Sequence, residues 1–289
     1  MIILRKIKNT KYLNFLTTKK LIESRLLNLL GIQIFRYILA KLTYKISGIF
    51  YKKILNDYED KGYFFQENFL SPEEFLKINV EFSKIIEKEN LSRNIYGKHE
   101  EINNSSIDYI LFEFEDIKKN QFQYPALYNL YKNKKIHDFF STAEKKNEVI
   151  IFMRLERVYT KDQLQNDANS HWHVDTYHNT NKAWIYLTDV NLNNGPFNYI
   201  EGSNKFSLNR LIWEYLNSIE TIFNKKITPF FVKKNKSQIL EKKKIEFTCK
   251  KNSFLIANTH GFHRRGDALN GKIRDTISFY TRENPYKLF

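Results

Sequence analysis

Residues 171–175 read His-Trp-His-Val-Asp. In an extended segment His173 and Asp175 project to the same side, because alternate side chains of a strand share a face. An imidazole beside a carboxylate is most of a two-histidine, one-carboxylate triad, the donor set that holds Fe(II) on one side and leaves positions open for substrate and O2. Chance supplies such a triplet often enough that its meaning depends on a third ligand. Residues 258–266, Asn-Thr-His-Gly-Phe-His-Arg-Arg-Gly, offer two, His260 and His263. His171 is a poor substitute, since along a strand it would lie roughly 13 Å from Asp175. Past His263 stands Arg274, with Thr276 two residues further on. A guanidinium takes a carboxylate with two parallel hydrogen bonds and a neighbouring hydroxyl adds a third. A dicarboxylate chelating the metal at one end and pairing with Arg274 at the other fits both features, and 2-oxoglutarate is such a molecule.

These residues need strands to position them, and the second half of the chain supplies strand patterns. Residues 149–159 are rich in β-formers, with Arg154 and Arg157 among them. Residues 182–190, Lys-Ala-Trp-Ile-Tyr-Leu-Thr-Asp-Val, form a dense run, followed by an Asn-Asn-Gly-Pro turn at 193–196 that predicts a hairpin returning through 197–200. Further short strands are expected at 245–249 and 253–257. Residues 272–282 alternate, with Arg274, Thr276, Ser278 and Tyr280 on one face and Ile273, Ile277 and Phe279 on the other. The first half reads differently. Residues 21–50 are apolar enough for a helix, yet Arg36, Lys41 and Lys45 interrupt every run long enough to span a membrane. Residues 62–65 suggest a short aromatic strand, and Ser71-Pro72-Glu73-Glu74 starts a helix reaching about residue 87. Further helices are expected over 127–140 and, capped by Ser207, over 208–223. Short strands after a helical first half predict an α+β chain in which helices pack on a barrel-like or jelly-roll sheet pair.

Composition agrees with a folded protein. The 289 residues are 42% hydrophobic and 16% aromatic, which excludes a disordered chain, and the single Cys249 can form no internal disulfide. A reducing cytoplasm is the expected setting, and the first 20 residues lack the apolar core and cleavage site of a secretory signal. The net charge of +15 sits in two places. Residues 1–55 carry twelve Lys or Arg against Glu23 alone, and residues 225–252 carry ten Lys against Glu241 and Glu246, while the remainder is mildly acidic. Basic arms of this kind are usually solvated surface. The chain divides into a basic helical N-terminal extension, 1–55, and a domain over 56–289 whose jelly-roll core spans about 149–285. Residues 1–50 would dock on that domain or make peripheral contact with a membrane surface.

The order His-Val-Asp, then AWIYLTDVNLNNGPFNYIEGSNK, then GFHRRGDALNGKIR resembles the phytanoyl-CoA dioxygenase family of Fe(II)/2-oxoglutarate oxygenases, with a weaker match at GYFFQENFLSPEE. The resemblance implies a double-stranded β-helix (jelly-roll, cupin-like) core. It implies that His173, Asp175 and His263 ligate Fe(II), that Arg274 with Thr276 binds the distal carboxylate of 2-oxoglutarate, and that O2 is the oxidant. It departs at Asn204, where many relatives have His. Because Asp175 is a carboxylate and not a small residue, it implies hydroxylation of a small-molecule or acyl substrate more than halogenation. Arg154, Tyr177, Trp184 and Tyr186 are candidates for the substrate pocket, although aromatic strand residues more often belong to a core. Arg264 and Arg265 are expected in surface ion pairs. Two other classes stay open: a jelly-roll protein that binds metal and ligand without turnover, and a basic binder of membrane surfaces or nucleic acid. No nucleic-acid motif is present, so a nucleic-acid partner is not expected.

Overall fold

The protein is described from a computed structural model covering residues 16, 24–51, 55, 57–91, 107–113, 121–160, 168–223, 231–281 and 283–288. The expected amphipathic start over residues 1–20 otherwise lies outside these, as do most of residues 88–106. In chain order the elements are α1 (Arg25–Leu29), α2 (Ile32–Phe50), α3 (Tyr58–Lys61), β1 (Tyr63–Gln66), α4 (Pro72–Leu91), β2 (Ile107–Glu113), α5 (Pro125–Tyr131) and α6 (Lys134–Glu144). They continue with β3 (Ile151–Thr160), β4 (Asn181–Tyr186), β5 (Phe197–Tyr199), α7 (Leu208–Phe223), α8 (Lys234–Glu241), β6 (Ile245–Phe247), β7 (Phe254–Asn258), β8 (His263–Arg265) and β9 (Ile273–Thr281).

Two antiparallel sheets face each other as in a jelly roll. The larger runs β1-β7-β4-β9-β3-β2 and the smaller β6-β5-β8, and His173 extends the smaller one by bridging to both His263 and Phe231. The two faces of the large sheet have different tasks. Ala183, Ile185, Ile277, Phe279, Met153 and Leu155 turn outward into the main core, where α4, α5 and α6 cover them with Ile78, Phe82, Leu127, Leu130, Ile136 and Phe140. The alternate residues turn inward, and the register lines them up: Tyr186 opposite Thr276 opposite Glu156, Trp184 opposite Ser278 opposite Arg154, and Lys182 opposite Tyr280. The polar alternation of β9 therefore builds the cavity between the sheets.

Several local expectations change in detail. The Ser71 hydroxyl accepts from Glu74 N at 3.3 Å while the Glu74 carboxylate accepts from Ser71 N at 3.1 Å, a reciprocal cap, and the helix it opens runs to Leu91. The helix expected over 127–140 is two helices, because Asn133 is extended and its side chain caps α6 by accepting from Lys135 and Ile136. The single helix expected over 21–50 is likewise broken at Gly31, whose φ of +87° only glycine adopts without strain. The hairpin after 193–196 does not form as a pair of neighbouring strands. Gly195, at φ +76°, reverses the chain, but β5 pairs with β6 and β8 and so crosses to the opposite sheet. The stretch 107–113, without a sequence assignment, is an edge strand paired along its length with β3.

Candidate metal and cofactor site

Residues 171–175 are extended without being a regular strand. His173 exchanges two backbone hydrogen bonds with His263, at 2.9 and 3.0 Å, and Asp175 N donates to Thr259 O at 3.0 Å. This pairing brings the distant 259–263 segment against the His-Val-Asp triplet, and alternation puts the His173 and Asp175 side chains on the side from which His263 also projects. One ligand-type atom from each of His173, Asp175 and His263 lies within 4.8 Å of the others. The Asp175 Oδ1 atom is 3.9 Å from His173 Nε2 and 3.6 Å from His263 Nε2.

Both imidazoles are held in the orientation that metal binding requires. His173 Nδ1 donates to the carbonyl of His171 at 2.7 Å and His263 Nδ1 to that of Gly261 at 2.9 Å. With each Nδ1 engaged by a carbonyl, each Nε2 is the nitrogen placed beside Asp175 and the one that could ligate a metal there. Burial, helped by the neighbouring His263, pulls the His173 pKa down to about 3, so the ring is a neutral donor. Burial works against the Asp175 carboxylate, but Lys182 and His263 overcome it and hold it well below the usual carboxylate range. The Lys182 ammonium is 2.9 Å from Asp175 Oδ2, which leaves Oδ1 facing the histidines. The neighbouring histidines have other work. His171 is exposed. His260 is fully buried and sits 3.3 Å from Lys41 Nζ and 3.8 Å from Glu214, away from the triad.

Between the sheets a cavity of about 210 Å³ is lined by His173, His263, Lys182, Trp184, Tyr186 and Arg274, among others. Arg274 is 7% exposed, donates through Nη1 to Gly195 O, has no hydrogen-bond partner at Nε, and forms no ion pair with a described residue. Thr276 is fully buried and its hydroxyl also lacks a partner. A buried guanidinium with no ion pair to a described residue and an unmet donor is costly, and an anionic ligand would satisfy it. A two-ended anion with one end on the triad and the other on Arg274 and Thr276 satisfies both groups, so the residues fit the metal and the dicarboxylate alike. A second cavity, about 630 Å³, is lined by Asp175, Tyr177, His178, Arg36, Arg154, Lys182 and Tyr280, and shares the last three with the first. Glu283, on its rim, is tied to Lys146 at 3.0 Å.

The sequence candidates therefore separate. Trp184 and Tyr186 line the smaller cavity, Tyr177 the larger, and Arg154 both. Arg264 pairs with Glu241 and Asp267, but it is buried and not on the surface as expected, and with the equally buried Arg265 it lines the smaller cavity. Lys182 and Arg36 had no assigned role. Lys182 was legible, since it shares the period-two face of Trp184 and Tyr186, and a lysine within an apolar strand needs a reason. Arg36 was not, because nothing local ties α2 to this cavity. Asn204 is buried, and its carbonyl accepts from Lys41 of α2 at 2.8 Å.

The family model described as phytanoyl-CoA dioxygenase matches residues 58–274, three quarters of the chain. Among solved structures, EctD from S. alaskensis with 2-oxoglutarate and 5-hydroxyectoine is 14% identical over 79% of this chain and 78% of that one, at a TM-score of 0.53. EctD from S. alaskensis with bound Fe is 15% identical over 79% of each chain, at 0.52. The epimerase SnoN in complex with Fe3+, alpha ketoglutarate and nogalamycin RO is 13% identical over 84% of this chain and 87% of that one, at 0.48. At such identities the likeness to EctD concerns the fold, which is the double-stranded β-helix. No curated protein matches the sequence.

Proposed function

The chain belongs to the phytanoyl-CoA dioxygenase family, and from that membership we propose that it is a non-haem Fe(II)- and 2-oxoglutarate-dependent dioxygenase hydroxylating an aliphatic carbon of a small-molecule or acyl substrate. Residues 56–289 form the catalytic domain and residues 1–55 an extension to it. The observation that carries the reading is a His173–Asp175–His263 cluster whose two histidines line the same cavity as a buried Arg274 that forms no ion pair with a described residue.

In this reading His173 and His263 ligate through Nε2, fixed by their Nδ1 hydrogen bonds, and Asp175 supplies the negative charge. Arg274 and Thr276 hold the distal carboxylate of 2-oxoglutarate, which sets its keto-acid end toward the metal. When bound, the iron and 2-oxoglutarate supply the oxidising chemistry, in which O2 gives one oxygen atom to succinate, with loss of CO2, and the other to a substrate C–H bond. Trp184, Tyr186 and Phe197 wall the cavity and keep water from it. Substrate occupies the larger cavity, bounded by Asp175. The cations Arg36, Arg154 and Lys182 outweigh the acids there, and Arg36 Nη2 is buried without a partner, which favours a substrate bearing a carboxylate or phosphate.

Anaerobic addition of Fe(II) and then 2-oxoglutarate should produce a visible metal-to-ligand charge-transfer band. Succinate release should then rise with a competent substrate drawn from a panel of acids, acyl esters and neutral alcohols. A folded protein that gives no band refutes the site, and a band without substrate-coupled succinate from any class leaves a binding protein instead.

A further inference from the structure

A helix on a globular protein normally turns its apolar stripe inward, and α2 does the reverse. Its buried residues are Gln33, Arg36, Tyr37, Ala40, Thr43 and Ser47. Its outer stripe, at three- and four-residue spacing, is Phe35, Ile38, Leu42, Ile46 and Ile49, with Phe50 beside it; exposure runs from 37% at Ile38 to 66% at Ile49. The orientation is fixed by directional bonds. Gln33 donates to Glu214 at 3.1 Å, Lys41 to Asn179 at 2.7 Å, Tyr44 to the carbonyl of Ala143 at 3.0 Å and Ser47 to that of Leu288 at 3.2 Å. Rolling the helix to hide its apolar stripe would break these bonds and strand buried polar groups.

The neighbouring helices continue the surface. The α1 helix exposes Leu26 and Leu29, with Leu30 just after it, and α7 exposes Leu208, Ile212 and Leu216 in a row. The three helices pack side by side, joined by Tyr215 Oη donating to Leu29 O at 3.0 Å and by Phe206, itself 57% exposed, stacking on Tyr37. An apolar area drawn from three adjoining helices exceeds what scattered surface residues provide. Charge identifies what covers it. The sequence holds no acidic residue between Glu23 and Asp57 but six Lys or Arg, and among them Lys45 is exposed on α2. A second copy would press two strongly basic segments together, whereas an anionic bilayer attracts them and accepts the apolar side chains. None of the described helices is long and apolar enough to cross a membrane, so α2 would lie in its plane.

We propose that the outer face of α2, flanked by α1 and α7, seats the protein on an anionic lipid surface, with Phe35, Ile38, Leu42, Ile46 and Ile49 entering the interface. The inner side of the same helix places Arg36 on the wall of the larger cavity. The proposal does not depend on the oxygenase reading.

The test is flotation of the full chain with vesicles of phosphatidylcholine alone or mixed with phosphatidylglycerol. Wild type should float with the mixed vesicles and not with phosphatidylcholine alone. The combined variant Leu42→Gln, Ile46→Gln, Ile49→Gln keeps every charge and alters only exposed positions, and it should lose about tenfold or more of its partition while melting as wild type does. Wild type that fails to float refutes the proposal, as does a glutamine variant that floats unchanged. Sedimentation velocity gives the alternative occupant: a wild-type dimer that the glutamine changes convert to monomer would make this face a self-association surface and overturn the membrane assignment.

Discussion

Arg274→Ala isolates the cofactor half of the site from the metal half. In the structure Arg274 is a buried cation on the cavity lining with no hydrogen-bond partner at Nε, and the buried hydroxyl of Thr276, two residues on, also lacks one. If the distal carboxylate of 2-oxoglutarate completes them, removing the guanidinium leaves that carboxylate buried and unpaired. Breaking one partner of a buried, hydrogen-bonded ion pair costs about 3–5 kcal/mol, which corresponds to a loss of roughly 10²–10³·⁵ in affinity. Thr276→Val removes one hydrogen bond to a charged group, about 1.5–3 kcal/mol, a weakening of about ten- to a hundredfold. The assay is anaerobic titration of the Fe(II) protein with 2-oxoglutarate, following the charge-transfer band. The same titration with 2-oxopentanoate, which keeps the chelating end and lacks the distal carboxylate, supplies the internal control. Wild type should prefer 2-oxoglutarate by about the factor that Arg274→Ala removes, and the variant should bind the two acids nearly alike. An alanine variant that keeps the wild-type preference would refute the assignment of Arg274, whatever its turnover.

Other predictions test the supports of the site. Lys182→Met removes the ammonium 2.9 Å from Asp175 and should weaken Fe(II) binding about 10–100-fold in competition with a chromophoric chelator; unchanged affinity would make the lysine incidental. Gly261→Ala places a methyl group against the buried Tyr199 ring and hydroxyl, beside the carbonyl that orients His263. It should lower stability by about 1–3 kcal/mol and loosen metal binding, and a variant with the wild-type melting temperature would contradict this packing. Acid should destabilise the metal-free protein. Burial holds His178 neutral down to about 4, and burial with Arg210 and Lys41 holds His260 well below its ordinary value. Both titrate near 6.5 once unfolded, so the unfolded chain binds more protons below that pH. Stability should therefore be complete above pH 6.5 and fall as pH drops toward 4, with His178→Asn flattening the curve; a denaturant midpoint indifferent to pH over this window would refute the buried-neutral assignment.

Features determined by near neighbours in the chain are legible in the sequence. Ser71-Pro72-Glu73-Glu74 starts a helix because its cap and first-turn bonds close within four residues. Alternation on β9 places Arg274 and Thr276 on one face, and the His173–Asp175 spacing does the same for two ligands, because side-chain direction in extended chain has a period of two. The order of these motifs is sufficient to place the chain in its family. What sequence could not decide is which surface meets which. The Asn-Asn-Gly-Pro turn predicts a reversal but not that β5 joins the opposite sheet, since that pairing is made with β6 and β8, more than forty residues away. Two histidines three apart offered themselves as the distal ligand, and only the backbone exchange between His173 and His263 puts one at Asp175 while His260 is drawn into the Lys41–Glu214 cluster. The apolar periodicity of α2 was visible, but the natural inference, that the apolar stripe faces the domain, is reversed. Periodicity fixes that a helix has two faces; the hydrogen bonds of Gln33, Lys41, Tyr44 and Ser47 to distant partners decide which one turns inward.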